Sequence, residues 1–135
     1  MSKNIRSRKP DKNIHMLLVD DEHNIVMINQ MVLEQMGYIV HSAYDSREAI
    51  DLIKEYNDVI DIIVTDYLMP GMNGIELAME ARKYLGDTPV ILYTGKAECI
   101  TEKEIDEADI ARVVIKPGKM KDLNTIIRNL LNVDE

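Results

Sequence analysis

Phenylalanine and tryptophan are absent from this chain, and its 4% aromatic content is carried by six tyrosines. No device that depends on a phenylalanine or tryptophan ring can operate here. A single cysteine, Cys99, excludes an intramolecular disulfide and a cysteine-built zinc site, and points to a reducing compartment. No apolar run approaches the roughly 20 residues that cross a bilayer. The basic residues at the start are not followed by the apolar stretch of a signal peptide. The expectation is a cytoplasmic chain with no membrane contact.

What is present fits one domain of common size: 135 residues, 46% hydrophobic and 30% charged. The net charge of −8 is uneven. Lys3, Arg6, Arg8, Lys9 and Lys12 against Asp11 leave residues 1–12 at +4 and the remainder at −12. Without a basic face, direct nucleic-acid binding is excluded as the main function. Residues 1–12 are expected to be a disordered basic tail or linker, with the domain occupying 13–135.

Five short apolar runs rich in β-branched residues read as strands: Ile14–Val19, Tyr38–Ala43, Ile60–Thr65, Val90–Tyr93 and Arg112–Ile115. Helical spacing fills the intervals at His23–Met36, Ser46–Tyr56, Asn73–Leu85, Glu98–Ala108 and Lys119–Val133. In the first helix the predicted buried stripe is Ile25, Ile28, Val32 and Met36, with Gly37 as the stop. Met27 and Met31 lie off that stripe, either widening the buried face or offering adaptable contacts to a partner helix. Strictly alternating βα units with near-continuous apolar strands give a parallel sheet covered on both faces. Five units are too few for an eight-fold barrel. The predicted fold is α/β, a flavodoxin-like doubly wound (βα)5 domain with strand order 2-1-3-4-5.

That order gives the polar residues their meaning. Ligands bind outside the carboxyl ends of such strands, where the order reverses. Asp20 and Asp21 follow the first strand, Asp66 the third, Thr94 the fourth and Lys116 the fifth. These strands are consecutive neighbours about 4.8 Å apart, so the five side chains converge on one edge. Alone, the acidic pair would read as a helix cap, Asp66 as a turn residue and Lys116 as a solvated charge. Three crowded carboxylates ionise together only around a cation. Oxygen ligands without histidine or cysteine favour Mg²⁺ or a similar hard ion. A carboxylate beside Mg²⁺ can attack a phosphoryl group to form an acyl phosphate, with Lys116 and Thr94 contacting the phosphoryl oxygens. His15, His23 and His41 show no ligand spacing and read as structural or surface residues.

The pair Asp20-Asp21, the run Asp66-Tyr67-Leu68-Met69-Pro70-Gly71-Met72-Asn73-Gly74, the pair Thr94-Gly95 and the pair Lys116-Pro117 together resemble the receiver domain of two-component response regulators. The resemblance covers residues 13–133. It implies that Asp66 is the phospho-acceptor, taking its phosphoryl group from a phosphohistidine on a histidine kinase or phosphotransfer protein. It implies that Asp21, Asp66 and the backbone carbonyl of Leu68 hold Mg²⁺, with Asp20 assisting through water. Lys116 contacts the phosphoryl group, Thr94 swings towards it, Lys116–Pro117 is cis, and Pro70, Gly71 and Gly74 shape the loop over the site. A downstream protein target is implied, and a homodimer of the phosphorylated form is compatible with it.

The chain departs from the family pattern at Val113, where an aromatic residue is usual. Transmission is then expected through the loop after Thr94 and the helix near 98–108, or with Tyr93 compensating. Gly95 stands where alanine is common and should keep the site open. Leu68 cannot orient a hydrolytic water by hydrogen bonding, which predicts slow self-dephosphorylation. Two other classes fit the sequence less well. A phosphohydrolase of the haloacid dehalogenase type would need a second aspartate where Leu68 stands, and a cap domain, so no enzyme is expected. A scaffold that is never phosphorylated would have no need for the complete acidic set. No DNA-binding segment is read after Val133, so output is expected by protein contact, as a single-domain regulator or as part of a larger protein such as a hybrid sensor kinase.

Overall fold

Side chains of a β-strand alternate between two faces, and in this chain both faces are apolar. The computed structural model describes residues 13–133. The expectations for residues 1–12 and for the last two positions lie outside the described residues. The elements are β1 (His15–Val19), α1 (His23–Gln35), β2 (Ile39–Ala43), α2 (Ser46–Glu55), β3 (Ile60–Thr65), α3 (Gly74–Leu85), β4 (Val90–Thr94), a 3₁₀ turn (Ala97–Cys99), α4 (Glu102–Ala108), β5 (Arg112–Ile115) and α5 (Met120–Leu131). All strand pairs are parallel, in the order β2-β1-β3-β4-β5.

Each sheet face is a core. Leu17, Val19, Ile60, Ile63 and Leu92 pack with Ala49 and Ile53 of α2, Leu77 and Leu85 of α3, and Ala108 of α4. Met16, Leu18, Ile62, Val64 and Ile91 pack on the other face with Val26 and Leu33 of α1 and Leu123 and Ile127 of α5. Burying each large aliphatic side chain is worth about 1.5–3 kcal/mol. Between Ile60 and Ile62 the register with β1 slips by one residue. The Asp61 carboxylate accepts the His15 N–H at 2.9 Å, so the irregularity costs no hydrogen bond.

Helix starts follow local chemistry. Asp45 caps α2 by accepting the Glu48 N–H. Asn73 with Glu76 forms a reciprocal capping box on α3, as does Thr101 with Glu104 on α4. The second box corrects the single helix expected over 98–108. Thr101 starts a new helix, and the preceding residues form only a 3₁₀ turn.

The predicted stripe of α1 is also corrected. Val26 and Leu33 are buried, whereas Ile28 is 59% exposed. The pairs 25/32 and 26/33 share the same seven-residue period, so spacing alone could not choose between them. Met27 and Met31, 56% and 62% exposed, do not widen the buried face. Gly37, just after the helix, adopts φ +104°, the left-handed stop that glycine permits.

The histidines have structural partners. His15 and His41 share a 3.0 Å hydrogen bond, and His23 stacks on Tyr44.

Candidate functional site

The site is built from strand ends. Val19 of β1 lies in register with Thr65 of β3, so Asp20 and Asp66 leave adjacent strands side by side. The Asp66 N–H donates to the Val19 carbonyl at 2.9 Å, and the Asp20 N–H to the Ala43 carbonyl at 3.2 Å. Carboxylate oxygens of Asp20, Asp21 and Asp66 lie within 4.8 Å of one another. Asp20 is buried, Asp66 half-buried and Asp21 exposed, so the cluster opens to solvent on one side.

Lys116 reaches this cluster from β5. Its backbone N–H is fixed to the Thr94 carbonyl at 2.9 Å. Its Nζ donates to Asp20 Oδ2 and, at 3.0 Å, to Asp66 Oδ2. The ammonium lies 5.6 Å from the Tyr93 ring centroid. The Tyr93 hydroxyl donates to the Gly118 carbonyl at 3.1 Å and accepts the Gly118 N–H at 3.0 Å. Tyr93 therefore ties down the loop after Lys116 and makes no link to α4. The Lys116–Pro117 peptide is cis.

Burial pushes the Asp20 carboxyl above the usual carboxylate range, against the opposing pull of its bonds to Lys116 and Glu22. Burial also works to lower Lys116, but its hydrogen bonds to the two aspartates outweigh it and hold the ammonium above the ordinary lysine value. Asp20 is not a simple helix cap. Its Oδ1 accepts the Glu22 N–H at 3.0 Å while its Oδ2 takes Lys116.

Thr94 is fully buried at the end of β4, and its Oγ1 accepts the Lys96 N–H at 3.0 Å. The Leu68 side chain is 48% exposed in the loop after Asp66. The loop itself is held close. The Gly74 N–H donates to the Tyr67 carbonyl at 2.8 Å, and a Cβ on Gly74 would lie 2.2 Å from the Asp66 carbonyl oxygen. Gly95 differs: a Cβ there would meet nothing within 4 Å.

Asp20, Asp21, Asp66 and Lys116 are thus in one place, and Thr94 ends the strand beside Lys116, joined to it through the Thr94 carbonyl. Sequence reasoning missed Tyr67, whose N–H donates to Asp66 Oδ1 at 2.6 Å. Its ring is buried, and burial, with the charge of Glu104 adding to it, raises its phenol above the usual range. The only sequence signal was a tyrosine beside Asp66 in a chain with few aromatics.

The donor set suits a hard cation. It consists of carboxylate oxygens in a half-open pocket, and no histidine or cysteine belongs to it. No helix among the described residues is long and apolar enough to cross a membrane.

Comparison with known proteins agrees with this geometry. The family model described as the response regulator receiver domain matches residues 16–128. The probable transcriptional regulator ycf27 of Cyanidium caldarium is 32% identical over 94% of this chain and 50% of its own length. The sensor kinase CckA of Brucella abortus is 33% identical over 85% of this chain and 12% of its own length. The chain therefore spans half or less of these curated relatives. The response regulator protein TrrA from Thermotoga maritima, solved in complex with Mg²⁺–BeF, superposes with a TM-score of 0.76 at 30% identity, covering 87% of this chain and 99% of that one. With five parallel strands in the order 2-1-3-4-5 and its acidic pocket at their carboxyl ends, the chain belongs to the response regulator receiver domain family.

Proposed function

We propose that this receiver domain is a switch set by phosphorylation of Asp66. The observation that carries the reading is the meeting of three carboxylates from two strand ends with one lysine that bonds two of them. Asp66 is the nucleophile. Its carboxylate oxygen forms the new bond to phosphorus while the bond from phosphorus to the donor's imidazole nitrogen breaks. The donor is a phosphohistidine on a histidine kinase or phosphotransfer protein. Lys116 holds the transferred group by charge. Thr94 becomes a further donor once its hydroxyl rotates from its contact with the Lys96 N–H.

Asp20, Asp21, Asp66 and the Leu68 carbonyl are the ligands assigned to Mg²⁺. When bound, the ion neutralises charge between carboxylates and phosphoryl oxygens. The Mg²⁺–BeF complex of the Thermotoga family member supports this choice of cation. Conversion of Asp66 to an acyl phosphate adds up to about one negative charge net at neutral pH, which must be paired inside the site. The phosphorylated form then binds a downstream protein, in the cytoplasm, either alone or as the receiver part of a larger protein. The match to part of the Brucella sensor kinase supports the second arrangement.

Incubation of the chain with Mg²⁺ and a small acyl phosphate, followed by intact mass measurement, tests the reading. The expected result is a gain of one phosphoryl group, absent without Mg²⁺ and absent in Asp66→Asn. A gain that persists in Asp66→Asn, or no gain in the native chain, overturns it.

A further inference from the structure

We propose that Tyr93 is a positioning residue for phosphoryl transfer, clamping the loop at Gly118 and so holding the Lys116 ammonium between Asp20 and Asp66. This rests on the reading of Asp66 as the phospho-acceptor. Neighbouring residues of β4 grip the Lys116 segment on both sides. Upstream, the Lys116 N–H donates to the Thr94 carbonyl at 2.9 Å. Downstream, Pro117 has no N–H to give, so the next backbone donor is Gly118. The Tyr93 hydroxyl accepts that N–H at 3.0 Å and donates to the Gly118 carbonyl at 3.1 Å. One side-chain oxygen thus satisfies both backbone groups of one loop residue.

The fit is close. A Cβ on Gly118 would lie 3.4 Å from Tyr93 Cε1, so the ring rests against bare backbone. The tyrosine is 7% exposed, in the core that α1 and α5 close. Filling that core would be met by a ring without a hydroxyl. What the hydroxyl adds is the hold on Gly118.

The lysine needs such a hold. Its side chain starts just after β5 and passes over the end of β4 to reach Asp66 after β3 and Asp20 after β1. A flexible four-carbon stem delivers its charge to one point only if its backbone is fixed. The ring adds a second contact, since the ammonium lies 5.6 Å from its centroid, within cation–π range. During transfer the ammonium exchanges Asp66 Oδ2 for a phosphoryl oxygen. The clamp and the ring keep it within reach of both.

The test is the rate of phosphoryl gain from a small acyl phosphate at saturating Mg²⁺ and donor, read by intact mass against time. Four chains are compared: native, Tyr93→Phe, Lys116→Met and the double variant. Tyr93→Phe keeps the ring over the ammonium and frees the loop. It should slow transfer about tenfold, the effect of one hydrogen bond. In the Lys116→Met background the same change should alter the rate less than about twofold, because Tyr93 acts through the lysine. A general loosening of the fold would slow both backgrounds alike. A native rate in Tyr93→Phe overturns the proposal, as does an equal slowing with and without the lysine. Nuclear magnetic resonance of the Lys116 ammonium in the metal-free chain gives a second reading that needs no phosphorylation, and it decides if the Lys116→Met chains react too slowly to compare. The ammonium protons should exchange with water about tenfold faster in Tyr93→Phe, and an unchanged exchange rate also overturns the proposal. If the native chain takes no phosphoryl group, the reading of Asp66 itself fails, and the ammonium exchange still shows whether Tyr93 positions Lys116.

Discussion

Replacing Gly74 by alanine sets two effects of opposite sign against each other. Gly74 is the first residue of α3, where alanine is the better helix former by at most about 1 kcal/mol. On propensity alone the variant would be more stable. The structure says otherwise. The added Cβ would lie 2.2 Å from the Asp66 carbonyl oxygen, 3.1 Å from its carbonyl carbon and 3.0 Å from Leu92 Cδ2, whereas ordinary contact begins at 3.4 Å. The closest neighbour is backbone and cannot rotate away, so the loop must withdraw by roughly 1 Å. That displacement also stretches the 2.8 Å bond from the Gly74 N–H to the Tyr67 carbonyl. Overpacking of this kind costs typically about 1–3 kcal/mol, and with a strained hydrogen bond the net loss should be about 2 kcal/mol. For a domain of this size that lowers Tm by about 8 °C. Thermal denaturation followed by circular dichroism reads the shift, and the rate of phosphoryl gain should fall with it because Asp66 itself is displaced. Gly95→Ala is the control and should change Tm by less than about 2 °C, since its Cβ meets nothing within 4 Å. A Gly74→Ala chain as stable as the native one refutes the reasoning.

Arg82 donates to the carbonyls of Gly86, Thr88, Ala108 and Asp109, closing the ends of α3 and α4 on each other. Arg82→Ala should cost about 2–3 kcal/mol in urea denaturation, and a loss under about 0.5 kcal/mol would count against the clasp. Asp20 has its folded pKa raised above 3.8, so the folded state binds that proton more tightly than the unfolded chain does. The resulting penalty is absent below pH 3.8, grows as pH rises towards the folded value and persists above it. Metal-free Asp20→Asn should therefore have the higher Tm at pH 7, with the gap closing as pH falls towards 4. A variant less stable than native at pH 7 contradicts this. Lys116 behaves oppositely. Its raised pKa gives stability that is complete below pH 10.5 and lost as pH climbs through the folded value. Leu68→Asn should shorten the phosphoryl lifetime at least several-fold, read by intact mass against time, because the amide can orient a water where the exposed leucine cannot. An unchanged lifetime removes Leu68 from any role in persistence.

The strands were legible because each is a compact β-branched run, and Ile60–Thr65 and Arg112–Ile115 match the structure residue for residue. The convergence of Asp20, Asp21, Asp66, Thr94 and Lys116 followed from topology once the alternation of strands and helices was recognised. What could not be read was orientation about a helix axis. Val26 and Leu33 face the core while Ile25 and Ile28 do not, and hydrophobicity does not separate them. The break before α4 was written in Thr101 and Glu104, yet the acidic run around it masked the box. Tyr67 was invisible for another reason. Its N–H bond to Asp66 Oδ1 depends on how the loop after β3 turns, which no residue spacing records.

The register of Val19 against Thr65 also has a bearing on tolerance. Asp20 and Asp66 inherit their separation from the spacing of two hydrogen-bonded backbones, a ruler that side-chain substitutions elsewhere do not stretch. Loops on the far side of the sheet can therefore be lengthened or rewritten without disturbing the pocket. Deleting one residue within β1 or β3 would instead turn an aspartate towards a hydrocarbon layer and break up the acidic cluster in a single step.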